Sequence, residues 1–374
     1  MIFPLRSKPK SVWGGGFFLK FLPFFLFCAI IPFEVINVKL STQKIKEIIT
    51  GAVCFDEENG ALTPYRFTRE QLEFYRDRNP DFYQRALCSA GMRLWFTTDS
   101  EHLSLQVVLT NNSSRKFFSF DVFVNGKLMD CLDNFAGIEF PANYTAIDLP
   151  LGEFSKTFSL GKGEKQVCVY LPWAEKTVIK SMELDDGTQI TPIKPDKLLL
   201  AFGDSITQGY DATRPSLRYV SQLCDHLGAA ELNKAIGGEI FVGGLGALPD
   251  DISPDYITVA YGTNDWSKTE RESSRRNAKE FYANLTLLYP EAKIFALAPI
   301  WRKDLQLEKK YGLFADVEAD IREITAEFPQ VTVIPCFDAV PHDETYYSDL
   351  YLHPNDRGFA HYAAHLRAAI SDSL

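Results

Sequence analysis

Leu198-Leu199-Leu200-Ala201-Phe202-Gly203-Asp204-Ser205-Ile206-Thr207-Gln208-Gly209 is the stretch on which the fold turns. Its apolar run, with no alternation, suits a strand covered on both faces, and Gly203-Asp204-Ser205 then sets a serine on a tight turn into a helix. Four further apolar runs follow at Ala230–Asn233, Tyr256–Tyr261, Ile294–Ala298 and Val331–Ile334, with helix-period segments between them. Doubly buried strands alternating with helices predict an α/β domain built on a parallel five-stranded sheet. One helix is expected to start at Thr269, with Glu272 three residues on as a capping box, and to run toward Tyr289-Pro290.

Upstream the rhythm changes. From about Ile49 to Leu184 the period is mostly two: Leu103, Leu105 and Val107 alternate with polar residues, as do Phe118, Phe120 and Val122. Asn125-Gly126 is a strong hairpin signal, further strands fit Phe154–Leu160 and Val167–Leu171, and Asp186-Gly187 marks another turn. This half reads as an all-β sandwich over 38–190. Thr191-Pro192-Ile193-Lys194-Pro195 is expected to be a stiff connector into an α/β domain over 191–374.

The chain has 374 residues, enough for two or three domains, and its hydrophobic (46%) and charged (24%) fractions are those of a folded globular protein. A formal charge of −10 repels a polyanion, which argues against a nucleic-acid partner. Seven scattered cysteines (Cys28, Cys54, Cys88, Cys131, Cys168, Cys224, Cys336) contain no Cys-x-x-Cys pair. They fit free thiols in a reducing compartment, which favours a cytoplasmic location in a bacterium. Residues 1–37 differ: a basic start (Arg6, Lys8, Lys10) precedes an apolar run from Phe17 to Ile31 broken by Lys20 and Pro23. That run is short for a membrane span and lacks a small-x-small cleavage site, so a signal for export and a start-site extension are the alternatives, and no stable membrane insertion of the remainder is expected.

In an open α/β sheet, functional groups gather beyond the carboxyl ends of the strands. Three polar clusters stand there: Gly203-Asp204-Ser205, the segment Asn233-Lys234-Ala235-Ile236-Gly237-Gly238, and Gly262-Thr263-Asn264-Asp265. A fourth, Asp349-Leu350-Tyr351-Leu352-His353-Pro354-Asn355-Asp356, precedes the last amphipathic helix. Singly, each has a plain reading as a helix cap or a turn. Jointly they answer one reaction, since a serine hydroxyl needs a base, a group to orient that base, and donors for the oxyanion formed at an ester carbonyl. The elbow Gly-x-Ser-x-Gly is absent, because Thr207 replaces the second glycine.

The four clusters, in this order across 197–370, resemble the sequence blocks of the SGNH (GDSL-type) hydrolase superfamily. The resemblance implies a flavodoxin-like sheet, Ser205 as nucleophile, and His353 as general base and acid. It implies an oxyanion hole made by the N–H groups of Ser205 and Gly238 and the amide of Asn264. A jelly-roll-like β-sandwich ahead of such a domain is similar to bacterial carbohydrate esterases, which implies an acetyl or other short acyl ester of a sugar as substrate. One position departs from the pattern: the acidic residue three before the histidine is Leu350 here, with Asp349 one farther away. Either a local bulge lets Asp349 reach the imidazole, or a backbone carbonyl orients it. Asp204 and Asp265 are read as carboxylates that brace turns, and Asp343 as a solvated loop residue.

Tyr210, Trp266, Trp301 and Arg302 lie beside these blocks and suit a sugar ring, although packing at the sheet edge would equally account for the tryptophans. Six dispersed histidines give no metal-ligand pattern and no glycine-rich phosphate loop is present, so neither metal nor cofactor is implied. A small-molecule or oligosaccharide ester is the expected partner, with oligomeric state left open. The competing functions are a lipase or thioesterase for longer acyl chains and a carbohydrate-binding protein with an inert hydrolase domain.

Overall fold

The computed structural model describes residues 37–373. The expectations placed on residues 1–37 therefore lie outside the described residues, except at Asn37, which opens a strand. Two antiparallel sheets occupy the first half. One runs in the order Cys54–Glu58, Ala61–Tyr65, Glu175–Asp185, His102–Asn111, Gly152–Ser159, with Asn37–Lys39 added beside Glu175–Asp185. The other runs Ile190–Pro192, Arg93–Thr98, Lys165–Tyr170, Ser119–Val124, Lys127–Asp133, with Ile49–Thr50 beside Arg93–Thr98. Leu103, Leu105, Val107 and Leu109 alternate inward from the first sheet. They share one buried cluster with Leu94, Phe96, Phe120, Val122, Val167 and Val169 of the second. The hairpin at Asn125-Gly126 forms with φ of 49° and 76°, the pair of positive values a type I′ turn demands.

This half is not strand throughout, as period-two reading had it. It also holds the helices Thr42–Ile48, Arg69–Arg78 and Pro80–Ala86. Thr68 and Gln71 close a capping box on the second, and Asn79 caps the third, accepting from the N–H groups of Asp81 and Phe82. Pro80, with no N–H to lose, occupies the first turn. Tyr65, Phe67, Leu72, Tyr75, Ala86 and Leu87 are buried against Leu200, Phe202, Leu232 and Val259, so this insert packs on the parallel sheet instead of on its own strands. A fully buried Leu or Phe contributes about 1.5–3 kcal/mol relative to exposure, which makes that seam a major source of cohesion between the halves.

The connector is shorter than expected, because Ile190–Pro192 pairs with Arg93–Thr98 before the chain leaves. Pro192 can end this strand because it lies on the sheet's edge, where its missing N–H breaks no ladder. Lys197–Gly203 then begins a five-stranded sheet ordered Ala229–Asn233, Lys197–Gly203, Tyr256–Ala260, Lys293–Leu297, Val331–Ile334. Every pairing is parallel. The first strand lies inside the sheet, and the connections leave it in opposite directions at its carboxyl end. The helix expected from Thr269 begins at Arg271 with Glu270 as its cap residue and no side-chain cap. Thr269 instead closes the preceding helix Thr263–Lys268, its N–H donating to the Asp265 carbonyl. Among the described residues no helix is long and apolar enough to cross a membrane, and Cys54, Cys88, Cys131, Cys168, Cys224 and Cys336 are free thiols.

Candidate active site

Ser205 is the first residue of the short helix Ser205–Gln208, separated from the strand Lys197–Gly203 by its cap residue Asp204. Its own N–H thus has no intrahelical acceptor and points where an anion would sit. Asp204 caps the helix by accepting from Ile206 N at 3.0 Å. The other Asp204 oxygen accepts from Asn264 Nδ2 at 3.1 Å, aligning that amide across from the serine. Burial pushes the Asp204 carboxyl up to about 6. Asp265, also buried, accepts from Gly262 N, Phe241 N and Ser274 Oγ, which pins the turn that carries Asn264. Both aspartates are braces within the loops.

Ser205 Oγ lies 2.9 Å from His353 Nε2. On the far side of the ring, His353 Nδ1 is 2.8 Å from Asp349 Oδ2. The extra residue between them is absorbed at Leu350, whose φ of 57° is left-handed. Asp349 Oδ1 accepts from the N–H groups of Tyr351, Leu352 and His353, so the carboxylate sits in the turn it organises. Of the two arrangements open from sequence, the structure has the carboxylate and not a carbonyl facing the ring. Burial disfavours the charged imidazole, but the Asp349 hydrogen bond and the nearby Asp211 carboxylate outweigh it and hold His353 above its ordinary value. Burial likewise opposes the Asp349 charge, and the hydrogen bond to His353 with the backbone donors holds its carboxyl below the usual range.

Gly238 has φ +85°, a left-handed conformation that leaves its N–H without a hydrogen-bond acceptor among the described residues. With Ser205, Asn264 and His353 it lines a cleft of about 260 Å³. Gln208 Oε1 accepts from Gly237 N, and Asn233 Nδ2 donates to Thr207 O, so the glycine loop is tied to the serine turn. The first half of the chain holds this loop from the other side. Buried Arg66 donates to the carbonyls of Asn233, Ala235, Cys88 and Arg85, and Arg85 donates to the Gly237 carbonyl.

Of the four residues expected to meet a sugar, only Tyr210 lines the cleft. Its ring lies 5.9 Å from that of His353, and it belongs to an aromatic cluster with Phe117, Tyr144 and Trp173. Trp266 is fully buried, donates Nε1 to Gly312 O and packs on Phe314. Trp301 stacks on His342, and Arg302 is buried beneath Asp304 and Trp266. None of these three lines the cleft: Trp266 and Arg302 turn into the core, and Trp301 is half-buried against His342 and Tyr347. Asp343 accepts from Thr345 N in an exposed turn.

Sequence reading missed the contribution of the first half, which supplies Arg85, Ser114 and Arg115 to the cleft wall. Arg115 forms a two-pronged pair with Asp211, and Ser348 Oγ donates to the same carboxylate at 2.6 Å. Ser348 N in turn donates to the His353 carbonyl at 2.8 Å. Asp211 thus links the β half to the backbone of the histidine. No local pattern announces the contacts to Asp211, because Arg115 lies 96 positions from it and Ser348 lies 137.

A family model described as GDSL-like Lipase/Acylhydrolase family matches residues 201–361. No curated protein matches the chain. Among solved structures it is similar to a salicylyl-acyltransferase from a tetracycline biosynthetic pathway, with TM-score 0.75 and 17% identity over 90% of this chain and 97% of that one. It is also similar to a family two carbohydrate esterase from Cellvibrio japonicus, with TM-score 0.60 and 17% identity over 90% and 97% of the two chains. An acetyl xylan esterase from the rumen bacterium Butyrivibrio proteoclasticus gives TM-score 0.57 and 14% identity over 90% and 98%. Residues 201–361 thus match a GDSL-like lipase/acylhydrolase domain, and the chain is similar in overall fold to carbohydrate esterases of family two.

Proposed function

We propose that this protein is a serine esterase that removes short acyl groups, acetyl foremost, from a carbohydrate. The observation that carries the reading is the run of contacts Ser205 Oγ to His353 Nε2 to His353 Nδ1 to Asp349, set in a cleft beside Gly238 and Asn264. His353 Nε2 takes the Ser205 proton as Oγ attacks the ester carbonyl, and the N–H groups of Ser205 and Gly238 with the Asn264 amide bind the oxyanion. The tetrahedral intermediate collapses to an acyl-serine, and His353 hands its proton to the departing alcohol. Water, deprotonated by the same nitrogen, then releases the acid. Asp349 keeps Nδ1 protonated and stabilises the imidazolium. We read the two antiparallel sheets as a sandwich that walls one side of this cleft.

Two features favour a short acyl group. The cleft is small, and its wall is largely polar, with Arg85, Ser114, Arg115 and Lys268. The larger apolar groove, about 640 Å³ along Leu305, Leu313, Phe314 and Phe337, shares no residue with it and so offers no channel for a fatty chain leading from Ser205. The test is a hydrolysis panel of aryl esters from acetyl to long chain, with acetylated oligosaccharides included. Acetyl esters should lead in kcat/KM. Faster turnover of C8 or longer chains would move the assignment to a lipase or thioesterase, and no hydrolysis of any member would leave a carbohydrate-binding protein.

A further inference from the structure

Three cationic side chains line the cleft at Ser205, and among the described residues two of them, Arg85 and Lys268, form no ion pair. Arg115 is neutralised by Asp211. Arg85 and Lys268 have hydrogen bonds only to carbonyl oxygens of the glycine loop: Arg85 Nη1 to Gly237 O at 2.8 Å and Lys268 Nζ to Gly238 O at 2.7 Å. They arrive from opposite halves of the fold. Arg85 ends the helix Pro80–Ala86 of the insert, whereas Lys268 stands one turn beyond Asn264 on Thr263–Lys268 and so shares its face. A Cβ built on Gly238 would lie 3.3 Å from Lys268 Nζ and 3.6 Å from Arg85 Nη1, so both cations flank the same glycine.

Two like charges held beside one glycine, one half-buried and one exposed, repel each other, and nothing in the attack of Ser205 on a neutral acetyl ester requires them. Desolvation holds Lys268 below its ordinary value and the Arg85 charge adds to that, against the upward pull of the Asp204, Glu239 and Asp265 carboxylates, none of which pairs with it. A ligand anion would relieve that repulsion, and the two cations would locally offset the negative charge of a chain whose formal charge is −10. We propose that Arg85 and Lys268 receive a carboxylate that the substrate carries beside its scissile ester, on the sugar or on the acyl group. The proposal rests on the esterase reading of Ser205 and narrows it to acidic esters.

The experiment compares matched pairs at low ionic strength: an acetylated methyl glucuronoside against the acetylated methyl glucoside, and a hemisuccinyl against a butyryl glucoside. The first pair puts the charge on the sugar, the second on the acyl group. One pair should show a preference of at least about tenfold in kcat/KM for the charged member, and added salt should shrink it. Lys268→Gln and Arg85→Gln should each bring that ratio toward unity, while Lys268→Arg keeps it. No preference in either pair, or equal losses on charged and neutral esters in the variants, would overturn the proposal, the latter by assigning the cations to the oxyanion. If the protein hydrolyses none of the four, the esterase reading fails and the cations are judged by calorimetry alone. D-glucuronate or succinate should then bind where glucose and butyrate do not, and should lose affinity in Lys268→Gln. Absence of such binding would sink the proposal.

Discussion

Asp349 meets His353 Nδ1 at 2.8 Å although it stands four positions before the histidine and not three. The left-handed turn at Leu350 makes this contact possible, and for a side chain other than glycine it costs about 1–2 kcal/mol. Three backbone donors to Asp349 Oδ1 hold the turn in place. Asp349→Asn should therefore lower kcat severely; in the serine-protease triad the equivalent change costs about 10⁴ through the wrong imidazole tautomer. A loss under about tenfold would mean that the carboxylate is dispensable. Leu350→Gly, which accepts the left-handed geometry freely, should keep most of the activity, whereas β-branched Leu350→Val should lose far more, as steady-state kinetics of the two variants can check.

Ser205 and His353 act as a unit in the proposed mechanism, so their losses should not add. Ser205→Ala and His353→Ala should each abolish ester hydrolysis, and the double variant should be no worse than either. More than a few per cent of activity in Ser205→Ala, with contamination excluded, would remove the serine from the nucleophile's role.

Asn264→Ala tests the oxyanion site. Removal of one such donor typically costs about 10²–10³ in kcat. Its amide is aligned by Asp204, so KM should change little while kcat falls into that range. A raised KM with kcat intact would make Asn264 a contact to the ground-state substrate.

How far the site was legible in the sequence follows from how local each contact is. The strand, the serine turn and the Gly-x-Asn-Asp block are read from neighbours in the chain, and so were the five parallel strands. The bulge at Leu350 was open because a single inserted residue can be absorbed or not according to the φ it adopts, and only coordinates fix that angle. Arg69–Arg78 and Pro80–Ala86 had local signatures, the Thr68/Gln71 capping box and Asn79-Pro80, that the surrounding period-two pattern outweighed. The cationic wall had none: Arg85 reaches the cleft because the insert packs on the parallel sheet, and Arg115, in the loop after His102–Asn111, because it pairs with the distant Asp211. Trp266 and Arg302 misled for the converse reason, since nearness to a motif in sequence does not decide which way a side chain turns.

The pH dependence carries a definite sign. His353 must be neutral to accept the Ser205 proton, so kcat/KM should rise with pH along a limb whose midpoint lies above the ordinary 6.5, because Asp349 and Asp211 favour the charged ring. Asp349→Asn should move that midpoint down. A group whose folded value is raised stabilises the fold below its unfolded value and loses that contribution as pH rises through the folded one. Urea unfolding of Ser205→Ala should accordingly show a His353 contribution that fades over the same interval in which activity appears. A midpoint below 6.5 in the parent protein would contradict the ion-paired geometry.

Arg66 offers a test of whether the insert positions the glycine loop or merely packs on it. Its guanidinium is fully buried, and burial lowers it only to about 10, so it remains charged at neutral pH. Its donors serve the carbonyls of Asn233 and Ala235, which lead into Gly237-Gly238, and those of Arg85 and Cys88 on the insert. Arg66→Met keeps much of the volume but leaves four buried carbonyls short of a donor, at about 1–3 kcal/mol for each that finds no water. A loss of stability of at least about 3 kcal/mol by denaturant unfolding is expected on that basis. Where the variant remains folded, kcat should fall more than KM rises, because Gly238 would no longer be held with its N–H toward the oxyanion. A variant that is destabilised by that amount yet turns over acetyl esters at the parental kcat would show that the glycine loop keeps its geometry without the insert.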